Sequence, residues 1–139
     1  MKDKKTSDSS WLVPYCVETG RFLIARRVGD QEGLWNLMGG KRNKGEKHSA
    51  AAIREFKEES GVKVEPDMLV YLGKKNIVRR DGSDGMMRFF MFRCAYEFAP
   101  VLNKKENDKY KWVGDIPAER HKSLETFLRG PHAKMLERL

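Results

Sequence analysis

Apolar and polar residues alternate along this chain in a way that predicts a mixed succession of strands and helices. Residues 11–17 and 21–27 read as two strands, split by the hairpin-type connection Glu18-Thr19-Gly20. Pro14 marks the first of them as an edge or bulged strand, because proline gives no N–H to a ladder. A polar loop over 28–33 leads to a short strand over 34–38, which delivers the pair Gly39-Gly40. Residues 48–60 hold no Pro or Gly and include three consecutive alanines, so they predict a helix, with Gly61 as its stop. After the turn Glu65-Pro66-Asp67, strands over 69–80 and 86–98 are joined by Asp81-Gly82-Ser83-Asp84-Gly85 and form the long antiparallel pair. Alternation within Met87-Arg88-Phe89-Phe90-Met91-Phe92 is not clean, so both faces of the sheet are expected to be covered by helices, with the aromatic run in the core. A charged loop over 103–109, a short strand over 110–113 and two helical pieces over 123–128 and 132–139, broken at Gly130-Pro131, complete the chain.

The length of 139 residues suits one domain with a real core, expected over 11–139 behind a flexible polar leader at 1–10. Lys and Arg number 28 against 20 Asp and Glu, for a formal charge of +8, which favours polyanionic ligands such as nucleotides or RNA ends. No apolar run is long enough to span a bilayer and the N-terminus lacks an apolar signal core, so no membrane partner and a cytoplasmic location are expected. Cys16 and Cys94, far apart in the sequence and in apolar settings, read as reduced core thiols.

The predicted helix carries the candidate chemistry. At about 100° per residue Glu55, Glu58 and Glu59 fall near 0°, 300° and 40°, within one arc, while Ile53 and Phe56 point elsewhere. Like charges at these spacings repel, and two of them stand in the last turn, where the helix dipole disfavours anions. Arg54 and Lys57 are expected to project away from the arc, which leaves two readings: a solvated acidic face, or a face compensated by a divalent ion such as Mg²⁺ on hard oxygen ligands.

Spacing adds to this. Gly40, five residues, Glu46, seven residues, then Arg54-Glu55-Phe56-Lys57-Glu58-Glu59-Ser60-Gly61-Val62 resembles the complete Nudix box, with each fixed position filled. Met38 stands where the family usually has Pro before the two glycines. The resemblance implies a Nudix-like α/β fold, an α/β/α sandwich with a mixed sheet, in which the box holds divalent cations against a diphosphate. Carried over residue by residue, Glu58 and Glu59 are metal ligands and Glu55 is a further ligand or the base, these three being the catalytic set, with the Gly40 carbonyl as an extra ligand. Glu46 and Arg54 would pair to support the site, Glu106 or Asp108 would supply a later carboxylate, with Glu97 a weaker candidate, and Arg26 and Lys41 would meet substrate phosphates. His48, His121 and His132 read as surface or capping residues. The implied activity is a Mg²⁺-dependent pyrophosphohydrolase, Mn²⁺ substituting, acting on a nucleoside triphosphate or related nucleotide. Its rival inside the class acts on RNA 5′ ends, suggested by the charge and by Arg79-Arg80; a catalytically silent ligand sensor or adaptor is disfavoured because every box carboxylate is present. Oligomeric state is not readable from the sequence.

Overall fold

The computed structural model describes residues 5–29, 31–79 and 81–139. Its centre is strand β1 (Lys5–Cys16), which pairs in parallel with β6 (Asp84–Cys94) from Asp8↔Met86 to Cys16↔Cys94. On the other side β1 meets β4 (Met38–Asn43) through Leu12↔Met38, then β2 (Phe22–Arg27) at Tyr15↔Phe22. With β3 (Trp35–Asn36) and β7 (Asn107–Val113) on β2, and β5 (Val70–Val78) antiparallel to β6, the described residues form a mixed seven-stranded sheet.

Strands β1, β2 and β6 feed two cores by alternation. Trp11, Val13, Phe22 and Ile24 face Leu124 and Phe127 of α2 (Lys122–Phe127) and Met135 of α3 (Pro131–Glu137). Leu12, Leu23 and Ala25 face Ala52 and Phe56 of α1 (His48–Ser60). Burial of both faces explains the ragged pattern of residues 89–92, all of them buried, and gives the expected α/β/α layering. Helix α1 ends where Gly61 turns left-handed at φ 75°, its N–H bonding to the Lys57 carbonyl at 2.9 Å. Among the described residues no helix is long and apolar enough to cross a membrane.

Three expectations change. The leader does not reach residue 10: β1 starts at Lys5, Ser9 and Ser10 are buried, and residues 1–4 lie outside the described residues. This polar strand is fastened by polar contacts, with Thr6 Oγ1 donating to the Arg42 carbonyl at 3.1 Å and Arg42 Nη2 donating to Asp8 at 3.0 Å. Pro14 is on the central strand, not an edge; it stands where the neighbour of β1 changes from β4 to β2. Finally, β7 begins at Asn107, so Asp108 belongs to a strand and not to the expected loop. Cys16 and Cys94, distant in sequence, are direct partners on β1 and β6, and both are free thiols.

Candidate active site

Two glycines let the box helix press against the sheet. A Cβ at Gly39 would lie 2.2 Å from the Ser10 carbonyl oxygen of β1, whose Trp11 is the antiparallel partner of Gly39. A Cβ at Gly40 would lie 2.6–2.8 Å from the Glu55 carboxylate, so the space beside Gly40 is filled by that carboxylate.

Glu59 is the most deeply placed acid, 6% exposed. Its Oε2 accepts the Gly39 N–H at 2.9 Å and its Oε1 accepts the Asn107 side-chain amide at 3.3 Å. Asn107 is in turn set by Asn36, whose Nδ2 donates to Asn107 Oδ1 at 3.0 Å and to the Ala25 carbonyl at 2.8 Å. Both donors to Glu59 are neutral. Burial, with the Glu55 and Glu106 charges adding to it, pushes the Glu59 carboxyl well above the usual carboxylate range, against the pull of the Gly39 and Asn107 donors.

Arg54 organises the outer acids. Nε and Nη2 grip Glu46 in a bidentate pair at 2.9 and 3.0 Å, as the family resemblance implied, and Nη2 also reaches the Lys41 carbonyl at 3.1 Å. Its Nη1 donates to Glu55 at 2.9 Å and meets Glu58 at 3.5 Å. The expectation that Arg54 points away from the arc is therefore wrong, because the long side chain folds back across its own helix face. Glu58, with a 55% exposed side chain, is tethered only on this solvent side.

A cleft of about 530 Å³ opens over these groups. Gly40, Lys41, Glu55 and Glu106 line it, so the structure gathers these sequence candidates, with Glu59 behind Gly39. Of the two later carboxylate candidates, Glu106 is the one that lines the cleft. Asp108 is held by Arg26 in a bidentate pair at 2.6 and 3.0 Å, and neither residue lines the cleft. Neither is brought to the cleft: the β2–β7 register shifts between Arg26 and Arg27, and Arg27 lines it. Glu97 is likewise spent on Arg21, at 2.7 and 2.9 Å. His121 caps α2, accepting the Ser123 N–H at 3.0 Å, and also lines the cleft with Trp11 and Met87. Sequence reading missed Arg27, Asn36 and Asn107, whose only local signal is a polar residue at a strand end.

Among the described residues no three His, Cys, Asp or Glu side chains are grouped so as to hold a metal ion as they stand. Carboxylate oxygen is nonetheless the donor type that a hard divalent cation takes: Glu55 and Glu106 line the cleft, and Glu59, buried behind Gly39 with neutral donors, feels the charge of both.

Over 101 residues, 69% of its length, the chain is 32% identical to the m7GpppN-mRNA hydrolase dcap-2 of Caenorhabditis elegans, and it spans 12% of that relative's length. In fold it is similar to a MutT NUDIX hydrolase from Burkholderia pseudomallei, with a TM-score of 0.71 at 21% identity over 88% of this chain and 97% of that one. The dihydroneopterin triphosphate pyrophosphohydrolase of E. coli gives 0.68 at 24% identity, over 81% of this chain and 84% of its own. The family model described as the NUDIX domain matches residues 7–138, nearly the whole length, and the chain therefore belongs to the NUDIX family.

Proposed function

We propose that the chain is a Mg²⁺-dependent pyrophosphohydrolase that cleaves the diphosphate linkage of a nucleoside triphosphate or related nucleotide. The observation that carries this reading is Glu59: a carboxylate buried beside Glu55 and Glu106, with neutral donors only, at the wall of a cleft whose rim carries Lys41 and Arg27. Burying an anion among anions is costly, and a fold that keeps such a cluster keeps it for a cation. Glu55, Glu58, Glu59 and the Gly40 carbonyl, joined by Glu106, are the groups that would hold Mg²⁺, or Mn²⁺ in its place. When bound, the ion would neutralise charge on phosphate oxygens and make hydroxide available near neutral pH.

The chain's own residues then divide the work. Arg54 fixes the Glu55 carboxylate at 2.9 Å, orienting it as the proton acceptor for the attacking water, a role worth about 10²–10⁴ in rate. Glu46 holds Arg54 in turn. Lys41 and Arg27 meet the substrate phosphates, Arg27 in the role that the sequence suggested for Arg26. A second reading, hydrolysis at RNA 5′ ends, is favoured by the C. elegans relative named as an mRNA hydrolase and by the charge of +8.

One screen tests both: Mg²⁺-supplemented reactions with nucleotides, nucleotide sugars, dinucleoside polyphosphates and 5′-triphosphate RNA, with products separated. Cleavage inside a diphosphate linkage is expected. If no member of the panel is cleaved with Mg²⁺ or Mn²⁺, the proposal fails.

A further inference from the structure

The candidate cleft does not close at β5. Its lining residues Ile77 and Lys122 also line a second groove, of about 460 Å³, between β5 and α2. Lys75 carries that groove into a third, of about 340 Å³, where α2 gives way to α3. Gly130 shapes the junction: at φ 155° it has no side chain, and a Cβ there would come within 2.9 Å of Lys75 Cε, so the lysine stem lies against the turn. Lys122 Nζ donates to the Val78 carbonyl at 3.2 Å and ties α2 to the strand.

The charge along this path is one-sided. Lys75, Lys122, Arg129 and Lys134 line the two outer grooves, against Glu125 and Glu137. Glu125 is already taken by Arg120 and approached by Arg129 at 3.8 Å, while the Arg129 side chain remains 70% exposed. A mononucleotide in the first cleft has no use for Lys75, Arg129 and Lys134, which lie outside it. From Arg79 in the cleft to Lys75 in the last groove the strand advances about 13 Å, roughly four steps of a stacked polynucleotide strand at about 3.4 Å each.

We infer that the groove between β5 and the α2–α3 junction is a phosphate track for the body of a single-stranded polynucleotide whose 5′ polyphosphate end occupies the cleft. The inference rests on the pyrophosphohydrolase reading of that cleft and narrows its substrate to a chain. The occupant follows from charge complementarity and from the continuity of the grooves with the site.

The test uses the full chain, 5′-triphosphate RNA and DNA single strands of about twelve nucleotides, a length within the usual range of single-strand sites, and fluorescence anisotropy without divalent metal over a range of salt. The neutralised variant is Lys75→Gln/Arg129→Gln/Lys134→Gln, all three outside the cleft. Its Kd is expected to rise at least about tenfold, and the slope of log K against log salt to flatten by about 2, at about 0.7 per lost contact. The charge-keeping variant Lys75→Arg/Arg129→Lys/Lys134→Arg should bind like the parent, and hydrolysis of a nucleoside triphosphate should be equal in all three. Equal binding of RNA and DNA supports recognition through phosphates; preference for RNA supports the track and adds the 2′-hydroxyl. A parent that binds the strands no tighter than a nucleoside triphosphate, or a neutralised variant with parental Kd and slope, overturns the track. Absent hydrolysis of every substrate, with variant-sensitive strand binding retained, overturns the pyrophosphohydrolase reading and leaves the track standing.

Discussion

Replacing the two neighbouring glycines by alanine should break the protein in two different ways. Gly40 has no positive φ, so alanine suits its backbone, and the unfolded chain would lose entropy worth about 0.4–1 kcal/mol in favour of folding. The new methyl, however, would lie 2.6–2.8 Å from the Glu55 carboxylate, where ordinary contact begins at 3.4 Å, so the carboxylate must retreat by about 0.6–0.8 Å. A displacement near 1 Å at a reacting centre costs about 10²-fold in rate, or roughly 2.7 kcal/mol of barrier. Gly40→Ala should therefore keep its melting temperature while kcat on the best nucleotide substrate falls about a hundredfold. At Gly39 the same methyl would lie 2.2 Å from the Ser10 carbonyl oxygen and 2.8 Å from the Trp11 Cα, both backbone atoms that cannot swing aside. Gly39→Ala should lose about 1–3 kcal/mol or more of stability, the cost of overpacking. Steady-state kinetics and thermal melts of the two variants decide the matter. Parental turnover in Gly40→Ala would show that the position of the Glu55 carboxylate does not matter to the chemistry, and the proposed role of Glu55 would fall.

Other outcomes follow from the same geometry. Glu59→Gln should lower turnover at least about a hundredfold, the lower range for a lost catalytic group. It should also change the pH dependence of the metal-free protein: burial raises the folded Glu59 carboxyl above its unfolded value, so the folded state holds a proton that the unfolded chain has released. Stability is then greatest below the ordinary glutamate range and declines as pH rises towards the raised value. Melts of the parent from about pH 4 to 8 should show that decline and those of Glu59→Gln a smaller one; identical profiles would remove Glu59 as its source. Lys41→Ala should raise KM for polyphosphates at an unchanged melting temperature. Arg42→Ala, by contrast, removes a side chain bonded to Asp8 and to the Glu46 carbonyl and should cost about 1–3 kcal/mol; a purely kinetic effect there would refute its assignment as a fastener of β1. Arg26→Gln should leave nucleotide KM and kcat unchanged, since Arg26 is engaged with Asp108 away from the cleft, and a raised KM would return it to the site.

The parts of the fold legible in the sequence are those set by local chemistry. Helix α1 could be read to the residue because Gly61 can take the left-handed turn and nothing before it breaks the helix. The β5–β6 hairpin was written in its glycines, and the covered faces of the sheet in the unbroken run at 89–92. What could not be read depends on partners far along the chain. The start of β1 is polar and is a strand only because Arg42 and β4 hold it. A register shift between strands β2 and β7 decides that Arg27 faces the cleft while Arg26 pairs with Asp108, and no local pattern reports such a shift. The angle of Arg54 on a helical wheel was correct for its Cα, yet a four-bond side chain can return across the wheel to Glu55.

The acids of the cleft are held by two networks of different electrical character, and the difference bears on what the site can accept. On the outer side one guanidinium serves Glu46, Glu55 and Glu58, so the charge of that arc is partly cancelled within the protein, and of the three acids Glu58 is the exposed one. On the buried side the groups that donate to Glu59 are neutral, Asn107 being set by Asn36, and the one cation that touches this relay, Arg27, donates to Asn36 Oδ1 at 3.4 Å and stands two residues removed from the acid. Amide dipoles can fix the carboxyl in place but cannot offset its charge, so burial raises its pKa in the metal-free protein, and a cation that displaces the proton would meet an anion not cancelled from within. Had an arginine stood at Asn107, Glu59 would be neutralised within the protein and would have nothing left to offer a cation. Lys41, Arg79 and Lys122 line the same cleft as Glu55 and Glu106. The cleft thus carries both signs of charge, and a polyphosphate that shares a cation with its acids can meet its bases at the same time.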